Sequence, residues 1–317
     1  LRRTFIRTLQ HIQPLKKLLE EHFDMATIID GKAIAAEIRR ELNEQTLHLK
    51  EQRGITPGIG LLLVGDNAAS QVYVRSKAKA CEELGFHSVV AHTGADTSEE
   101  EVLKHVAAWN ADPAIHGILV QLPLPVHINE HRVLLAIAPS KDVDGFHPEN
   151  VGRLVAGLPG FVPCTPAGVM EMLKRSAIDT KGKHAVVVGR SNIVGKPMAN
   201  LLYQKHAHAN AIVTICHTAT ADMSYFTKQA DILVAAVGVP ELIKADDVRE
   251  GVVVIDVGIN RIEDASAPKG TRLVGDVHFE SVRQKASAIT PVPGGVGPMT
   301  IAMLMWNTFR SAAGEVY

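Results

Sequence analysis

Ala185-Val-Val-Val-Gly-Arg-Ser-Asn-Ile-Val-Gly-Lys-Pro197 is the stretch whose reading decides the fold. Ala185 to Val188 is a short, largely β-branched run with no polar side to turn toward water, the pattern of a strand buried on both faces. Gly189 closes it in a tight turn. Pro197 marks a helix entry, because its ring presets a helical φ and its missing N–H is one that a first turn leaves unpaired anyway. A diphosphate can approach backbone closely where a strand, a glycine turn and a helix N-terminus meet. The pattern is G-x-S-x-x-x-G rather than G-x-G-x-x-G, so these residues by themselves fit a ligand-free strand–helix turn equally well.

Outward from this stretch the chain alternates short apolar runs with longer amphipathic segments, the signature of βα units around a mostly parallel sheet, and predicts an α/β fold. Upstream, a helix is expected over Ile34 to Gln52, a strand over Ile59 to Val64, and a helix over Ala69 to Leu84 that Gly85 ends. Next come a strand over Ser88 to Ala91 and a helix to about Asn110, opened by the capping box of Ser98 and Glu101. A strand from Gly117 to Gln121 then runs into Gln121-Leu-Pro-Leu-Pro125, where two prolines remove ladder donors. A second block opens after Pro163-Cys-Thr-Pro166 with a helix over Ala167 to Ser176, followed by the Ala185 strand and strands at Ile212 to Cys216, Ile232 to Ala236 and Val252 to Val257. The final helix, Met299 to Ser311, is expected to pack back on the first block.

The 317 residues, 46% apolar and 21% charged, have ordinary globular composition and length for about two domains. Lys plus Arg (33) nearly balance Asp plus Glu (34), so no overall field draws the protein to nucleic acid or to an anionic membrane, and small molecules are the expected partners. The apolar stretch Gly251 to Ile259 is broken by Asp256 and falls short of the ~18 residues of a membrane span. Cys81, Cys164 and Cys216 are too scattered for a disulfide framework, which points to a reducing compartment and a cytoplasmic location. The first 24 residues mix Arg2, Arg3, Arg7, Lys16 and Lys17 with leucines ahead of Met25. Glu20, Glu21 and Asp24 argue against a transit peptide, so this segment reads as an extension before a natural start at Met25.

Candidate chemistry gathers at four places. Tyr73-Val-Arg-Ser-Lys77 sets a phenol and an amine four residues apart on one helical face. Burial there lowers an amine's pKa and frees it for proton transfer, whereas a solvated cationic face with Arg75 and Lys79 needs no chemistry at all. Gln121 ends a strand where ligands of open sheets bind, or sits in a capped loop. Asp144 in Asp142-Val-Asp-Gly145 either caps a turn or accepts from a heterocycle's N–H groups. Pro291-Val-Pro-Gly-Gly-Val-Gly-Pro298 is a rigid loop that either approaches a ligand or merely leads into the last helix. On the cofactor side, the strand ending Cys216-His-Thr-Ala219 carries no carboxylate for ribose hydroxyls, while Arg190, His217 and Thr218 offer donors to a 2′-phosphate, which favours NADP over NAD. His127 with Glu130-His131 spells H-x-x-E-H without an evident third ligand and reads as a surface turn with no metal, and Cys164 reads as a half-buried structural thiol.

Taken together, Tyr73-Val-Arg-Ser-Lys77, Gln121-Leu-Pro-Leu-Pro125, Asp142-Val-Asp-Gly145, Val188-Gly-Arg-Ser191, Val194-Gly-Lys-Pro197 and Pro291-Val-Pro-Gly-Gly-Val-Gly-Pro-Met-Thr300 resemble one family, the bifunctional methylenetetrahydrofolate dehydrogenase/methenyltetrahydrofolate cyclohydrolases. The resemblance runs from about Met25 to Ser311 with the motifs in family order. It implies NADP-dependent oxidation of 5,10-methylenetetrahydrofolate, then hydrolysis to 10-formyltetrahydrofolate, in one cleft and without a metal. By resemblance Lys77 is the catalytic lysine, Tyr73 orients it and stacks near the pterin, and Gln121 tunes the amine. Asp144 anchors the pterin, Pro293, Gly294 and Gly295 line the folate pocket, and Gly189, Arg190, Ser191, Thr218 and Ile259 hold NADP. The implied organisation is an extension over 1–24, a folate-binding catalytic domain over 25–147 that carries helix 299–311, and a Rossmann NADP-binding domain over 148–298, assembled as a homodimer. One departure stands out: the family has Cys-His-Ser followed by Lys or Arg where this chain has Cys216-His-Thr-Ala219, which leaves more of the phosphate to Arg190. A dehydrogenase acting on another substrate and a non-catalytic dinucleotide sensor are the competing readings; a sensor has no need of Tyr73, Lys77, Gln121 and Asp144 together, and a generic dehydrogenase would not reproduce the folate-side loops.

Overall fold

Strands that carry no polar residue can sit only where both faces are covered, and that requirement sorts this chain into two parallel sheets. A computed structural model describes residues 26–267 and 270–317; the extension over 1–24 lies outside the described residues. The order is β1 (Thr27–Ile28), α1 (Gly31–Arg53), β2 (Gly58–Val64), α2 (Ala68–Glu83), β3 (His87–Thr93), α3 (Glu99–Ala111), β4 (Gly117–Val120), α4 (Glu130–Ala136), α5 (Pro148–Ala156), α6 (Cys164–Arg175), β5 (His184–Val188), α7 (Gly195–Tyr203), β6 (Ile212–Cys216), α8 (Met223–Thr227), β7 (Ile232–Ala235), β8 (Val253–Asp256), β9 (Asn260–Glu263), β10 (Thr271–Val274), α9 (Phe279–Val282), β11 (Ala288–Ile289) and α10 (Val296–Ala313).

The first sheet has the order β3-β2-β4, with β2 buried along its whole length in the centre. The second has the order β1-β11-β8-β7-β5-β6, all parallel, so that the glycine turn leaves β5 beside the reversal of strand order between β5 and β7. Ligands of such sheets bind at the carboxyl ends of the strands at that reversal.

β1 departs from the expected organisation, in which Thr27 and Ile28 belong with the first block. It pairs in parallel with β11, Thr27 against Ala288 and Ile28 against Ile289, and so forms an edge of the second sheet. The reason is local: β11 spans two residues, and the Thr27 amide donates to Ser287 O and the Ile29 amide to Ile289 O, each at 2.9 Å. The antiparallel β9–β10 pair, whose exposed residues alternate with half-buried ones, has no counterpart in the sequence reading.

Helix starts follow their caps. Asp30 accepts from the Ala33 amide at α1, Asn67 from Ser70 at α2, and Ser98 with Glu101 closes a reciprocal box at α3. α10 begins in the Pro291–Pro298 loop and buries Met299, Met303, Leu304 and Met305 against α6, α1 and α2. One apolar cluster therefore runs from Leu61 and Leu63 of the first sheet through α1, α6 and α10 to Val187 and Val234 of the second.

Leu42, fully buried on α1 in this cluster, tests that continuity. Leu42→Ala is expected to lower the unfolding free energy by roughly 2–5 kcal/mol in chemical denaturation, with one transition still describing both sheets.

Candidate active site

Ser70, Val74, Lys77 and Cys81 form the buried stripe of α2, at the i, i+4, i+7, i+11 spacing of a core-facing helix side. A lysine therefore stands in an apolar stripe with only 8% of its surface exposed. Its Nζ donates to Gln121 Oε1 at 3.0 Å, and the Gln121 amide group is turned away to donate to Leu122 O at 2.8 Å. Gln121 follows β4, the neighbour of β2, and the Gln121 backbone amide donates to Leu62 O at 2.8 Å, which carries its side chain to the carboxyl edge of the first sheet. Desolvation pushes the Lys77 amine down from the ordinary lysine value, opposed by the charge of Asp144. The same burial pushes the Asp144 carboxyl up, opposed by Lys77.

Asp144 is not the turn cap. That role falls to Asp142, which accepts from the Phe146 and His147 amides at 3.2 and 2.8 Å and from Asn150 Nδ2 at 2.9 Å. With the turn held by its neighbour, Asp144 is left to face Lys77 and Cys164. Cys164 is fully rather than half buried: its thiol donates to Val143 O at 3.3 Å, and burial beside Asp144 holds it well above the ordinary thiol value, so it is no nucleophile.

Lys77, Gln121, Asp144 and Tyr73 line one cavity of about 370 Å³, together with Ile193 of the glycine turn and Ile259 beyond β8. Tyr73 and Ile259 also line an adjoining cavity of about 950 Å³, whose lining includes Pro293, Gly294 and Gly295. That loop is tied to the start of α1, where the Lys32 amide donates to Gly294 O at 2.9 Å. Thr165 and Thr300, whose hydroxyls lie 2.9 Å apart in the first cavity, stand inside quoted motifs but were given no role, because two threonines 135 residues apart carry no spacing signal.

Gly189, Arg190, Ser191 and Thr218 lie apart from both cavities, at the carboxyl ends of β5 and β6, where Val188 pairs with Cys216. Gly189 has φ of 133°, and a Cβ on it would collide with Ala236 O, so no other residue fits without displacement. The Ser191 hydroxyl accepts from the Val194 and Gly195 amides at 3.0 and 3.3 Å and thereby shapes the helix start. The amides of residues 190–193 make no hydrogen bond to other described residues, and Arg190 is exposed without a carboxylate partner among them. Exposed amides and a free guanidinium at a helix start fit a dinucleotide's phosphates. His127 bonds Thr97 O at 2.9 Å, while Glu130 and His131 open α4 and face a separate groove.

Residues 29–144 match the family described as Tetrahydrofolate dehydrogenase/cyclohydrolase, catalytic domain, and residues 163–316 match Tetrahydrofolate dehydrogenase/cyclohydrolase, NAD(P)-binding domain. The chain is 59% identical over 286 residues to the bifunctional protein FolD of Chloroherpeton thalassium, covering 90% of this chain and 97% of that one. It is 59% identical over 288 residues to the bifunctional protein FolD 2 of Geobacter sulfurreducens, covering 91% and 97%. Among solved structures, the bifunctional FolD enzyme of Campylobacter jejuni superposes with a TM-score of 0.86 at 52% identity, covering 91% of this chain and 99% of that one. The methylenetetrahydrofolate dehydrogenase-cyclohydrolase of Trypanosoma brucei, complexed with NADP cofactor and inhibitor, superposes with a TM-score of 0.87 at 40% identity, covering 93% and 99%.

The Lys77 environment makes a prediction that needs no substrate. With lysines 13C-labelled at Cε, Lys77 is expected to titrate at lower pH than the surface lysines, and Asp144→Asn is expected to move it lower still, because the charge that favours the ammonium is gone. Titration with the surface lysines excludes desolvation as the controlling effect.

Proposed function

The chain belongs to the tetrahydrofolate dehydrogenase/cyclohydrolase family, and from that premise we propose that it oxidises 5,10-methylenetetrahydrofolate with NADP and hydrolyses the product to 10-formyltetrahydrofolate, serving one-carbon metabolism. The observation that carries this reading is the buried Lys77–Gln121 pair in a cavity that Ile259 and Ile193 of the dinucleotide side also line.

NADP, when bound, would supply the acceptor for the hydride of the methylene carbon. The chain's part in that step is to hold the two reacting carbons face to face, which by itself removes much of the barrier. Ile259, 43% exposed between the two cavities, supports the nicotinamide side, and Tyr73, 40% exposed, offers its ring to the pterin side. Asp144 accepts from the pterin's N–H groups, and Pro293, Gly294 and Gly295 line the adjoining cavity. Gly189, Arg190, Ser191 and Thr218 hold the dinucleotide, with Arg190 carrying the charge on the 2′-phosphate because Ala219 supplies none.

The methenyl carbon that results is already cationic and electrophilic. Water adds to it, the bond from N5 to that carbon breaks, and one proton is released for each 10-formyltetrahydrofolate formed. Lys77 is the group placed to take that proton: burial lowers the amine's pKa, and Gln121 Oε1 orients it by accepting a hydrogen bond from Nζ. Both activities thus use one cleft, Lys77 serving mainly the second.

We assign the folate side to 25–147 with helix 299–311, and the NADP side to 148–298, with β1 lent to the second sheet. Ile212 and Ile215 are exposed on β6, an edge strand of that sheet, and support assembly as a homodimer. Among the described residues no helix is long and apolar enough to cross a membrane. We assign the protein to the cytoplasm, which the three free cysteines support.

An absorbance assay tests the central claim. The purified protein is expected to oxidise 5,10-methylenetetrahydrofolate faster with NADP than with NAD and to accelerate the decay of added methenyltetrahydrofolate; oxidation without accelerated decay reduces it to a dehydrogenase. Lys77→Met is expected to slow hydrolysis by about 10²–10⁴-fold with NADP affinity unchanged. Arg190→Ala is expected to raise the KM for NADP about tenfold while leaving that for NAD in place, since a charge-assisted contact to phosphate is lost.

A further inference from the structure

Two buried carboxyl groups, one ending a strand of the second sheet and one following the β9–β10 pair beside it, take no part in the chemistry above. Asp256 ends β8 and is 3% exposed; Asp276 follows β10 and is fully buried. Neither is within ion-pair distance of a cation among the described residues, so each is satisfied by neutral donors alone, nearly all of them backbone amides.

Their hydrogen bonds connect three loops. Asp256 Oδ1 accepts from the Gly258 amide at 3.0 Å and the Asp276 amide at 2.9 Å, and its Oδ2 accepts from the Val277 amide at 2.9 Å. Asp276 Oδ2 accepts from the Val237 and Gly238 amides at 2.6 and 3.0 Å, and its Oδ1 accepts from Asn260 Nδ2 at 2.9 Å. The exits of β7, β8 and β10 are thus fastened to one pair of side chains. The fit leaves no spare room: a Cβ on Gly275 would collide with Asp256 Oδ2, and a Cβ on Gly258 with Asp276 Oδ1.

Two of these loops face the proposed ligands. The β7 exit begins at Ala236, whose carbonyl is the wall against which Gly189 of the phosphate turn packs. The β8 exit carries Ile259, which lines both cavities. Resting on the function proposed above, we infer that Asp256 and Asp276 are positioning residues for the nicotinamide end of the dinucleotide. They touch neither ligand. They fix the backbone of Val237–Gly238 and of Gly258–Ile259, and so set the surface on which the ring lies. The demand for two acceptor oxygens is strictest at 256, where every partner is a backbone amide: asparagine there must turn its NH₂ group toward either the Val277 amide or the Gly258 and Asp276 amides, leaving donors opposed.

Two activities in one chain supply the control that a positioning claim needs, since the proposed hydrolysis of added methenyltetrahydrofolate uses Lys77 of α2 and Gln121 after β4, both in the first block, and no dinucleotide. Asp276→Asn and Asp256→Asn, in the full chain, are compared with the parent for NADP dissociation constant by titration calorimetry, for the KM for NADP in oxidation, and for hydrolysis without NADP. The expected result is NADP affinity weakened about tenfold or more, the loss of buried hydrogen bonds that fasten the two loops, with hydrolysis within about twofold of the parent. Unchanged NADP affinity, or hydrolysis falling in parallel with oxidation, overturns the inference. Should neither carboxamide variant fold, Asn260→Ala keeps both carboxylates and removes one of the six bonds; it is expected to weaken NADP about threefold with hydrolysis intact, and parental affinity overturns the inference equally. A parent chain that binds NADP but turns over neither folate overturns the proposed function instead, and the calorimetric comparison still decides the role of the two aspartates.

Discussion

The free energy of taking an ammonium group out of water is the constraint on which the rest of the site depends. A lysine in the buried stripe of α2 is tolerable only with an acceptor at its head, a carboxylate nearby, or loss of its proton. This chain uses all three: Gln121 at 3.0 Å, Asp144 across the cavity, and a lowered amine pKa. Each of these comes from a different element, so the position of β4, the turn after Val143 and the register of α2 are coupled through one side chain. Around it the apolar cluster that joins α1, α6 and α10 keeps the pieces from relaxing apart.

The buried carboxyl groups beside the second sheet meet the same cost by another route. Asp256 and Asp276 have no cation within ion-pair distance among the described residues and instead gather amides, so they fasten loops together, while burial pushes the Asp256 carboxyl up to about 7. The first block thus turns a buried amine into reactivity, and the strand exits of the second turn buried carboxyl groups into shape. The cleft needs both, because proton transfer is tolerant of small displacements in the dinucleotide while hydride transfer is not.

Much of this was legible in the sequence. The α/β class, the strands at 185–188, 212–216 and 232–235, and the capped helices follow from patterns whose cause is local: β-branched runs, Ser98 with Glu101, Gly85 after a helix. The six quoted motifs also carried the family. What stayed hidden depends on partners far away in the chain. Spacing put Tyr73 and Lys77 on one face but, with Arg75 and Lys79 beside them, favoured a solvated face, because only the neighbouring elements decide that Lys77 is buried and Tyr73 half exposed. Asp142 and Asp144 look alike in sequence, and the amides at 146 and 147 separate the cap from the free carboxylate. β1 has two residues and no pattern of its own, so its place was set by the open edge of β11.

That short edge strand has a consequence for how the protein can change over time. The backbone passes between the two sheets three times, from β1 to α1, from the Asp144 turn to α6, and from β11 to α10. A single genetic crossover therefore never exchanges one half as a unit: any cut leaves at least one half missing an edge strand or its closing helix. A folate half joined to a different dinucleotide half must therefore bring its own edge strand and closing helix with it, whereas substitution within the cleft leaves every crossing in place.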